Sequence, residues 1–567
     1  MKRFSGDISI VLGGAAGQGI QTVEAMLVSV LKAEGYRIFA CKEYMSRIRG
    51  GSNSTEIRIG RGNPLAYVER IDFMLALDQG VIPHLRERIG KQTIILGEKD
   101  KVQHEGAHII DLPFTKLSAE LGNPIFASTI AVGAVLGMLG AERKPFEDYL
   151  QAHFARKGED VVKKNLEAAA KGMDFGSHIA FMEGFEVSLQ KDETVQGELL
   201  LDGNTALGLG AIAAGCDFAS SYPMSPGTGV LTYLASQAQK FGIVIDQAED
   251  EIAAINIAIG AWYAGARALV TTSGGGFALM CEGVSLAGMI ETPVVVHIGQ
   301  RPGPATGLPT RTEQADLNLV LYAGHGEFPR AIFAPGTPAQ AFHAMQQAFE
   351  AADAYQIPAF VLSDQYMLDS ISTLPKEDLE CLPVTKHVVE TDAAYRRYVV
   401  TEDGISPRGI PGFGQGMVGV DSDEHDEEAH ITESALVRIA MHEKRLRKLD
   451  LMKESALMPE EIEAVKGAKT LVVTWGSNRG ILEEALSKIK DESVAGLHFC
   501  QVYPLNPKAK KLFSKKKIIV MENNVVGQFA DLLERDLDIE VSERILKYDG
   551  SPYSVEETVE KIKKAIA

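Results

Sequence analysis

Three short stretches bring hydroxyls, a carboxylate and glycines to places where a strand gives way to a helix. The first is Ser220-Ser221-Tyr222-Pro223-Met224-Ser225-Pro226-Gly227-Thr228-Gly229. Its prolines restrict the loop and its hydroxyls, Ser225 and Thr228, fall at a strand's carboxyl end, where open α/β sheets bind ligands. A small carboxylate suits such hydroxyls beside helix N–H groups, although a plain Pro-rich helix start capped by Thr228 reads the same way. The second stretch, Asp246-Gln247-Ala248-Glu249-Asp250-Glu251, ends another strand. Acids at a helix start complement its dipole. Glu251, however, precedes the apolar run from Ile252 to Trp262, so it is expected to be partly buried. Burial raises a carboxyl's pKa and suits it to share a proton with the ring nitrogen of a bound heterocycle. The third, Thr271-Thr272-Ser273-Gly274-Gly275-Gly276-Phe277, sets hydroxyls before three glycines that let a ligand approach the backbone. Three such strand ends in one domain imply one shared crevice.

A second candidate lies near the start. Gly14-x-x-Gly17-x-Gly19 joins a strand, Ile8–Leu12, to a helix-periodic run, Val23–Glu34, as a phosphate cradle does, and simple tight packing explains it equally well. The acid expected about twenty residues on is Glu34, at the end of a helix rather than of a strand. Downstream, Arg47 and Arg49 precede Gly50-Gly51, a loop able to grip phosphates through guanidinium forks or to form a surface ion-pair loop.

The elements that must position these residues alternate as strands and helices, which predicts an α/β protein of several domains. Residues 1–185 form a first domain, with strands at Ile71–Leu77 and Thr93–Leu96 and a mainly parallel sheet. Residues 186–197 read as a polar linker. Residues 198–380 repeat a doubly wound rhythm: strands Phe218–Ser221, Gly242–Asp246, Ala268–Thr272 and Pro293–Ile298, helices between, the last of them Phe277–Ile290. Residues 381–465 connect, with a helix over Glu433–Leu451, and 466–567 close the chain with strands at Thr470–Trp475, Gly496–Val502 and Lys517–Met521.

Composition narrows the classes. The chain has 567 residues, 45% of them hydrophobic, more than one core of roughly 100–200 residues uses. A formal net charge of −19 argues against nucleic acid. The five cysteines are scattered singly, as buried thiols in a reducing cytoplasm, and do not provide a cluster site on this chain. No export signal is legible at the start. Phe126–Gly140 falls short of the ~20 residues of a membrane span and reads as a buried helix. The acidic run Asp421 to Glu428, with His425 and His430 nearby, reads as a solvated mobile loop rather than a metal site.

The order Tyr-Pro-x-Ser-Pro, then Glu251 before Ala253-Ala254, then Thr-Ser-Gly-Gly-Gly, resembles the alpha subunit of 2-oxoacid:ferredoxin oxidoreductases. The Gly14–Gly19 turn and the Arg47–Arg49 loop resemble the gamma portion of the same family. The likeness continues through Arg301-Pro302-Gly303-Pro304 to Glu313-Gln314-Ala315-Asp316-Leu317, and through Val502-Tyr503-Pro504 and Glu522-Asn523-Asn524, so it covers nearly the whole chain as a fused gamma–alpha subunit.

That resemblance implies a gamma domain, a transketolase-like pyrimidine-binding domain for thiamine diphosphate and a transketolase-C-like end. It implies that Glu251 meets the aminopyrimidine ring, with Tyr222, Pro223, Ser273, Gly274 and Gly275 around the cofactor. Ser225 and Thr228 would contact the 2-oxoacid, with Thr310 and Arg311 selecting a second carboxylate and hence 2-oxoglutarate. Gly14, Gly17, Gly19, Arg47 and Arg49 would take coenzyme A phosphates. No Gly-Asp-Gly occurs, and Asn523-Asn524 alone resembles its partner motif. The resemblance therefore places the diphosphate, Mg2+ and a 4Fe-4S cluster on a beta subunit, in an (alpha-beta)2 heterotetramer of the cytoplasm that passes electrons to ferredoxin. No metal, nucleic acid or membrane is expected on this chain. The family more often has Thr at Ser225 and Ser at Gly227, so pyruvate, branched-chain and aromatic 2-oxoacids stay open. So do a nucleotide-binding enzyme acting through Gly14–Gly19 and a non-catalytic electron-transfer scaffold.

Overall fold

Short runs of Val, Ile and Leu alternating with longer helical runs bury strands on both faces, and the chain folds accordingly into mixed α/β units. The computed structural model describes residues 2–15, 17–45, 51–60, 62–102 and 108–567. Two compact units result. One comprises Met1–Leu201, Ser370–Asp378 and Ser554–Glu556, and the other Asp202–Asp369, Leu379–Tyr553 and Glu557–Ala567.

In the first unit an eight-stranded sheet has Asp7–Ala15 at its middle, parallel to Phe73–Ala76 and antiparallel to Ser52–Gly60. The expected mainly parallel sheet is thus only half parallel. Arg37–Glu43 and Ser52–Gly60 pair antiparallel because the eight residues between them are too few for the crossover that a parallel pair needs. The apolar stretch expected as a buried helix is one, Ala127–Met138, packed on Glu159–Glu183. Among the described residues no helix is long and apolar enough to cross a membrane. The segment 186–197, read as a linker, is held in this unit. Phe185–Ser188 pairs parallel with Lys2–Ser5, and the Asp192 amide donates to the Gly35 carbonyl at 2.8 Å.

The second unit holds two sheets over one continuous apolar core. In the seven-stranded sheet Val244–Gln247, Phe218–Ser221, Ala268–Ser273, Val294–Gln300 and Pro358–Asp364 are successive parallel neighbours. The five-stranded sheet is built on Thr470–Trp475 and Lys517–Glu522. The expected helix Phe277–Ile290 breaks in two at Met280, as Gly274–Leu279 and Cys281–Met289.

The segment 381–434 has little regular structure, yet buried ion pairs pin it. Asp353 receives Arg267 at 2.6 Å and also Arg408. Glu291, fully buried, receives Lys444 at 2.6 Å and Lys448 at 2.5 Å from the helix Ala435–Ser455. The acidic run is correspondingly not a wholly solvated loop. His425 is buried against Tyr398, ring centroids 4.0 Å apart, and Glu424 is bound by Arg445 at 2.9 Å. Sequence alone does not show this, because the partners, Tyr398 in a turn and Arg445 on a helix, lie at a distance along the chain.

Candidate active site

The three strand ends are adjacent in the sheet, so the residues after them meet at one edge of the second unit. Asp250 caps the helix Glu251–Tyr263, its carboxylate accepting the Ala253 amide at 2.7 Å. The dipole-complementing role is therefore filled, and Glu251 is left for another. It is 3% exposed, and its Oε1 has no hydrogen-bond partner among the described residues. A Cβ placed on Gly276 would lie 2.6 Å from that oxygen and 2.3 Å from Thr272 Oγ1, so only glycine permits the carboxyl to lie over the turn. Ser273 Oγ is likewise buried and unpartnered among the described residues, Gly274 is buried and Gly275 is exposed.

The loop after Phe218–Ser221 is hung from the next strand. Thr271 donates from Oγ1 to the Gly227 carbonyl at 2.9 Å, so its oxygen accepts from His297 Nδ1 at 2.7 Å. His297 Nε2 then accepts the Ser363 hydroxyl, also at 2.7 Å. Burial holds the imidazole neutral by pushing its pKa down to about 3. A Cβ at Gly227 would stand 2.5 Å from the Thr272 carbonyl oxygen, which accounts for glycine where the family often has serine. On this loop Tyr222 is 40% exposed, Pro223 is partly buried and Ser225 is exposed, its carbonyl accepting Arg301 Nη1 at 2.7 Å. Thr228 opens the helix Thr228–Phe241 but does not cap it; Gly227 occupies that position.

In the first unit, Gly14 is a packing glycine, since a Cβ there would lie 3.0 Å from that of Leu77. Gly17 and Gly19 have φ of +90° and +83° and border a cleft of about 330 Å³ lined also by Lys42, Glu43, Asn53 and Thr55. Gly14 thus packs, whereas Gly17 and Gly19 face open space or the cleft. Arg47 and Arg49 lie outside the described residues.

Comparison with known proteins decides the family. Residues 209–444 match the family model for pyruvate flavodoxin/ferredoxin oxidoreductase, thiamine diphosphate-binding, and residues 9–175 that for pyruvate ferredoxin/flavodoxin oxidoreductase. The 2-oxoacid:ferredoxin oxidoreductase subunit alpha of a Sulfolobus species is 31% identical over 625 aligned positions, 99% of this chain and 97% of its own. The chain belongs to the 2-oxoacid:ferredoxin oxidoreductases. The 2-oxoglutarate oxidoreductase subunit KorA of Mycobacterium tuberculosis is 30% identical over 77% of this chain and 68% of its own. The solved 2-oxoglutarate:ferredoxin oxidoreductase from Magnetococcus marinus, with 2-oxoglutarate, coenzyme A and succinyl-CoA bound, matches with a TM-score of 0.92 at 28% identity over the whole of both chains. As an alpha subunit the chain is one part of a multisubunit oxidoreductase with ferredoxin as acceptor. The cofactor domain of this oxidoreductase subunit fits the group its family holds. A buried carboxylate oxygen and a buried hydroxyl, both unpartnered among the described residues and beside a glycine turn, suit the polar edge of an aminopyrimidine.

Three further residues, within the family-like stretch 301–317, have no role assigned by the sequence. Arg301, at the end of Val294–Gln300, is the cation bound to the Ser225 loop; burial draws its pKa down, against the pull of Asp316. Asp316 lies over Gly274, whose Cβ would stand 2.3 Å from both of its carboxylate oxygens, and burial pushes its pKa up to about 6 despite Arg301. Glu313 is pushed up to about 7, by burial first and then by Asp316 and Asp549. A signal was available: a polar His-Ile-Gly-Gln-Arg ending to an otherwise Val-rich buried strand. Thr310 and Arg311, the expected selectors, are partly buried on the loop after Arg301, and a Cβ on Gly550 would lie 3.2 Å from that of Arg311. Asn523 and Asn524, the look-alike of a diphosphate motif, belong to a buried network instead. The Asn523 amide donates to Gln314 Oε1 at 3.0 Å and Asn524 Nδ2 to Glu522 Oε2 at 2.7 Å.

Proposed function

We propose that this subunit serves the coenzyme-A-dependent oxidative decarboxylation of a 2-oxoacid, with 2-oxoglutarate, giving succinyl-CoA and CO2, the first choice. In the reverse direction the same groups serve carboxylation. The observation that carries the reading is the buried Oε1 of Glu251, unpartnered among the described residues and set above the glycine turn. When bound, thiamine diphosphate supplies the carbon nucleophile and the electron sink for loss of CO2. Glu251 holds and returns a proton at the ring nitrogen of that cofactor. Tyr222, Pro223, Ser273, Gly274 and Gly275 shape its seat. Ser225, Thr228 and Arg301 hold the substrate's carboxylate, and Thr310 and Arg311 receive a second one. A guanidinium fork matches a carboxylate, so an arginine at each end would favour 2-oxoglutarate over pyruvate.

Coenzyme A is a co-substrate whose phosphates meet Gly17 and Gly19, with Arg47 and Arg49, in the first unit. Mg2+, the diphosphate end and a 4Fe-4S cluster belong to a beta subunit, in an (alpha-beta)2 assembly of the cytoplasm that reduces ferredoxin. The 2-oxoglutarate, coenzyme A and succinyl-CoA bound to the Magnetococcus marinus enzyme, and the name of the Mycobacterium tuberculosis relative, support this choice. Co-expression with the beta subunit, followed by anaerobic viologen reduction with 2-oxoglutarate, pyruvate and 2-oxoisovalerate, tests it. Coenzyme-A-dependent activity with 2-oxoglutarate is expected. Activity confined to another 2-oxoacid would discard the substrate and keep the class.

A further inference from the structure

Around one triple-glycine turn the second unit buries three side-chain oxygens that have no hydrogen-bond partner among the described residues: Glu251 Oε1, Ser273 Oγ and Asp316 Oδ2. The first two fit a cofactor ring. Asp316 lies on the other side of the turn, over Gly274, and is tied to Arg301 by the adjoining residue: Gln300 Oε1 accepts the Asp316 amide at 3.1 Å. Arg301 donates to the Ser225 carbonyl, and Asp316 is the charge that acts on it. Conversely, Arg301 is the charge that acts on Asp316. The arginine proposed to receive a substrate carboxylate therefore already has an anion within electrostatic reach, beyond ion-pair distance.

Two anions close to one guanidinium repel each other, the more so because Asp316 Oδ2 is itself buried. We infer that Asp316 is the counter-charge of Arg301 and a positioning residue for the substrate, and that it takes up one proton from solvent when a 2-oxoacid carboxylate reaches that arginine. Ionised, Asp316 balances Arg301 in the free enzyme. Protonated, its Oδ2 becomes a donor beside the incoming carboxylate instead of a second negative charge. The rise of its pKa to about 6 by burial places that proton uptake within reach of the working pH range. Among the described residues, Arg301 is the charge that acts on Asp316; Glu313, on the same loop, is acted on by Asp316 and Asp549, Glu251 lies by Gly276, and the helix Gly274–Leu279 brings no ionisable group. The inference rests on Arg301 as the carboxylate anchor.

The test uses the reconstituted complex and compares the Michaelis constants for 2-oxoglutarate and for pyruvate between pH 5.5 and 8. If binding selects the protonated form, the apparent constant rises toward about tenfold per pH unit above the Asp316 midpoint, or by about fifteenfold from pH 6 to 7.5, while kcat lacks that limb. Asp316→Asn should flatten the rise to less than about twofold over the same range, since the neutral amide needs no proton. Glu313→Gln should keep it. A Michaelis constant that is flat with pH in the wild type overturns the inference without any variant. So does a rise that survives Asp316→Asn, or one that vanishes in Glu313→Gln instead. Arg301→Ala separates this from the anchor reading. If it leaves substrate affinity unchanged, the anchor is wrong; if it weakens affinity while Asp316→Asn keeps the slope, only the role of Asp316 falls.

Discussion

The carbonyl of Gly227 accepts the hydroxyl of Thr271 at 2.9 Å, so the loop that carries Ser225 hangs from the strand that ends in Ser273. Behind that bond stand His297 and Ser363, each within 2.7 Å of the next group. All of these side chains are buried, and a buried polar chain rigidifies only while every member is satisfied.

Thr271→Val keeps the shape and leaves the Gly227 carbonyl and His297 Nδ1–H unpaired. The unfolding free energy should fall by about 1–3 kcal/mol in a denaturant titration, and KM for the 2-oxoacid should rise as the loop loosens. Thr271→Ser, which retains the hydroxyl, should restore most of both. Wild-type stability in the valine variant would remove this chain from the account of how the loop is held.

Glu251→Gln preserves volume and removes the proton-exchanging group. Turnover of every 2-oxoacid should drop by about 10²–10⁴-fold, with the thermal midpoint little changed. Gly276→Ala should lose activity by a different route. Its methyl carbon would come within 2.6 Å of Glu251 Oε1, so the carboxyl must move, and thiamine diphosphate retention, measured on the purified complex, should fall with it. A glutamine variant with full turnover would end the case for Glu251.

The buried pair of Lys444 and Lys448 with Glu291 gives the second unit an acid sensitivity. Burial by itself would raise the Glu291 pKa; Lys448, Lys444 and Arg397 outweigh it and hold the carboxyl well below its ordinary 4.5. A carboxyl depressed in the folded state contributes stability that is complete above its unfolded pKa and lost as pH falls through the folded one. The thermal midpoint should therefore be level with respect to this group above about pH 5 and decline below about 4.5. Glu291→Gln strands two ammonium groups and should cost about 3–5 kcal/mol at neutral pH, the mark of an ion cluster broken from one side. A glutamine variant as stable as the wild type would show that the lysines find water.

Much of this was legible in the sequence where local signals suffice. Phe218–Ser221 and Thr470–Trp475 are strands with the ends that their apolar runs indicate, because turn residues bound them on both sides. Glu251 stood out because an acid before eleven mostly apolar residues has few other uses. What escaped depends on contacts across space. The pairing of Arg37–Glu43 with Ser52–Gly60 follows from chain length rather than composition. His297 resembled an ordinary strand residue until Thr271 and Ser363 closed on it, and Asp316, fifteen positions after Arg301, comes back toward it only through the Gly274 turn and Gln300. His425 illustrates the opposite error. An acidic context suggested solvent, but Arg438 and Arg445 neutralise Glu424 beside it and Tyr398 covers its ring.

On the proposed reading, substrate choice would turn on two arginines that differ in setting. Arg301 is fixed to the Ser225 loop, where any 2-oxoacid would present its first carboxylate, whereas Arg311 sits farther along the same loop against the turn at Gly550. Removing a charged hydrogen-bonding partner costs about 1.5–3 kcal/mol, or roughly 10–150-fold in affinity. Arg301→Ala should raise KM by that factor for all three acids, 2-oxoglutarate, pyruvate and 2-oxoisovalerate. Arg311→Ala should raise it with 2-oxoglutarate alone, since only that substrate carries a second carboxylate. Steady-state kinetics of the reconstituted complex with the three acids in parallel separate the cases. If Arg311→Ala affects all three equally, it supports the loop rather than selecting, and the preference for a dicarboxylate must come from elsewhere in the crevice.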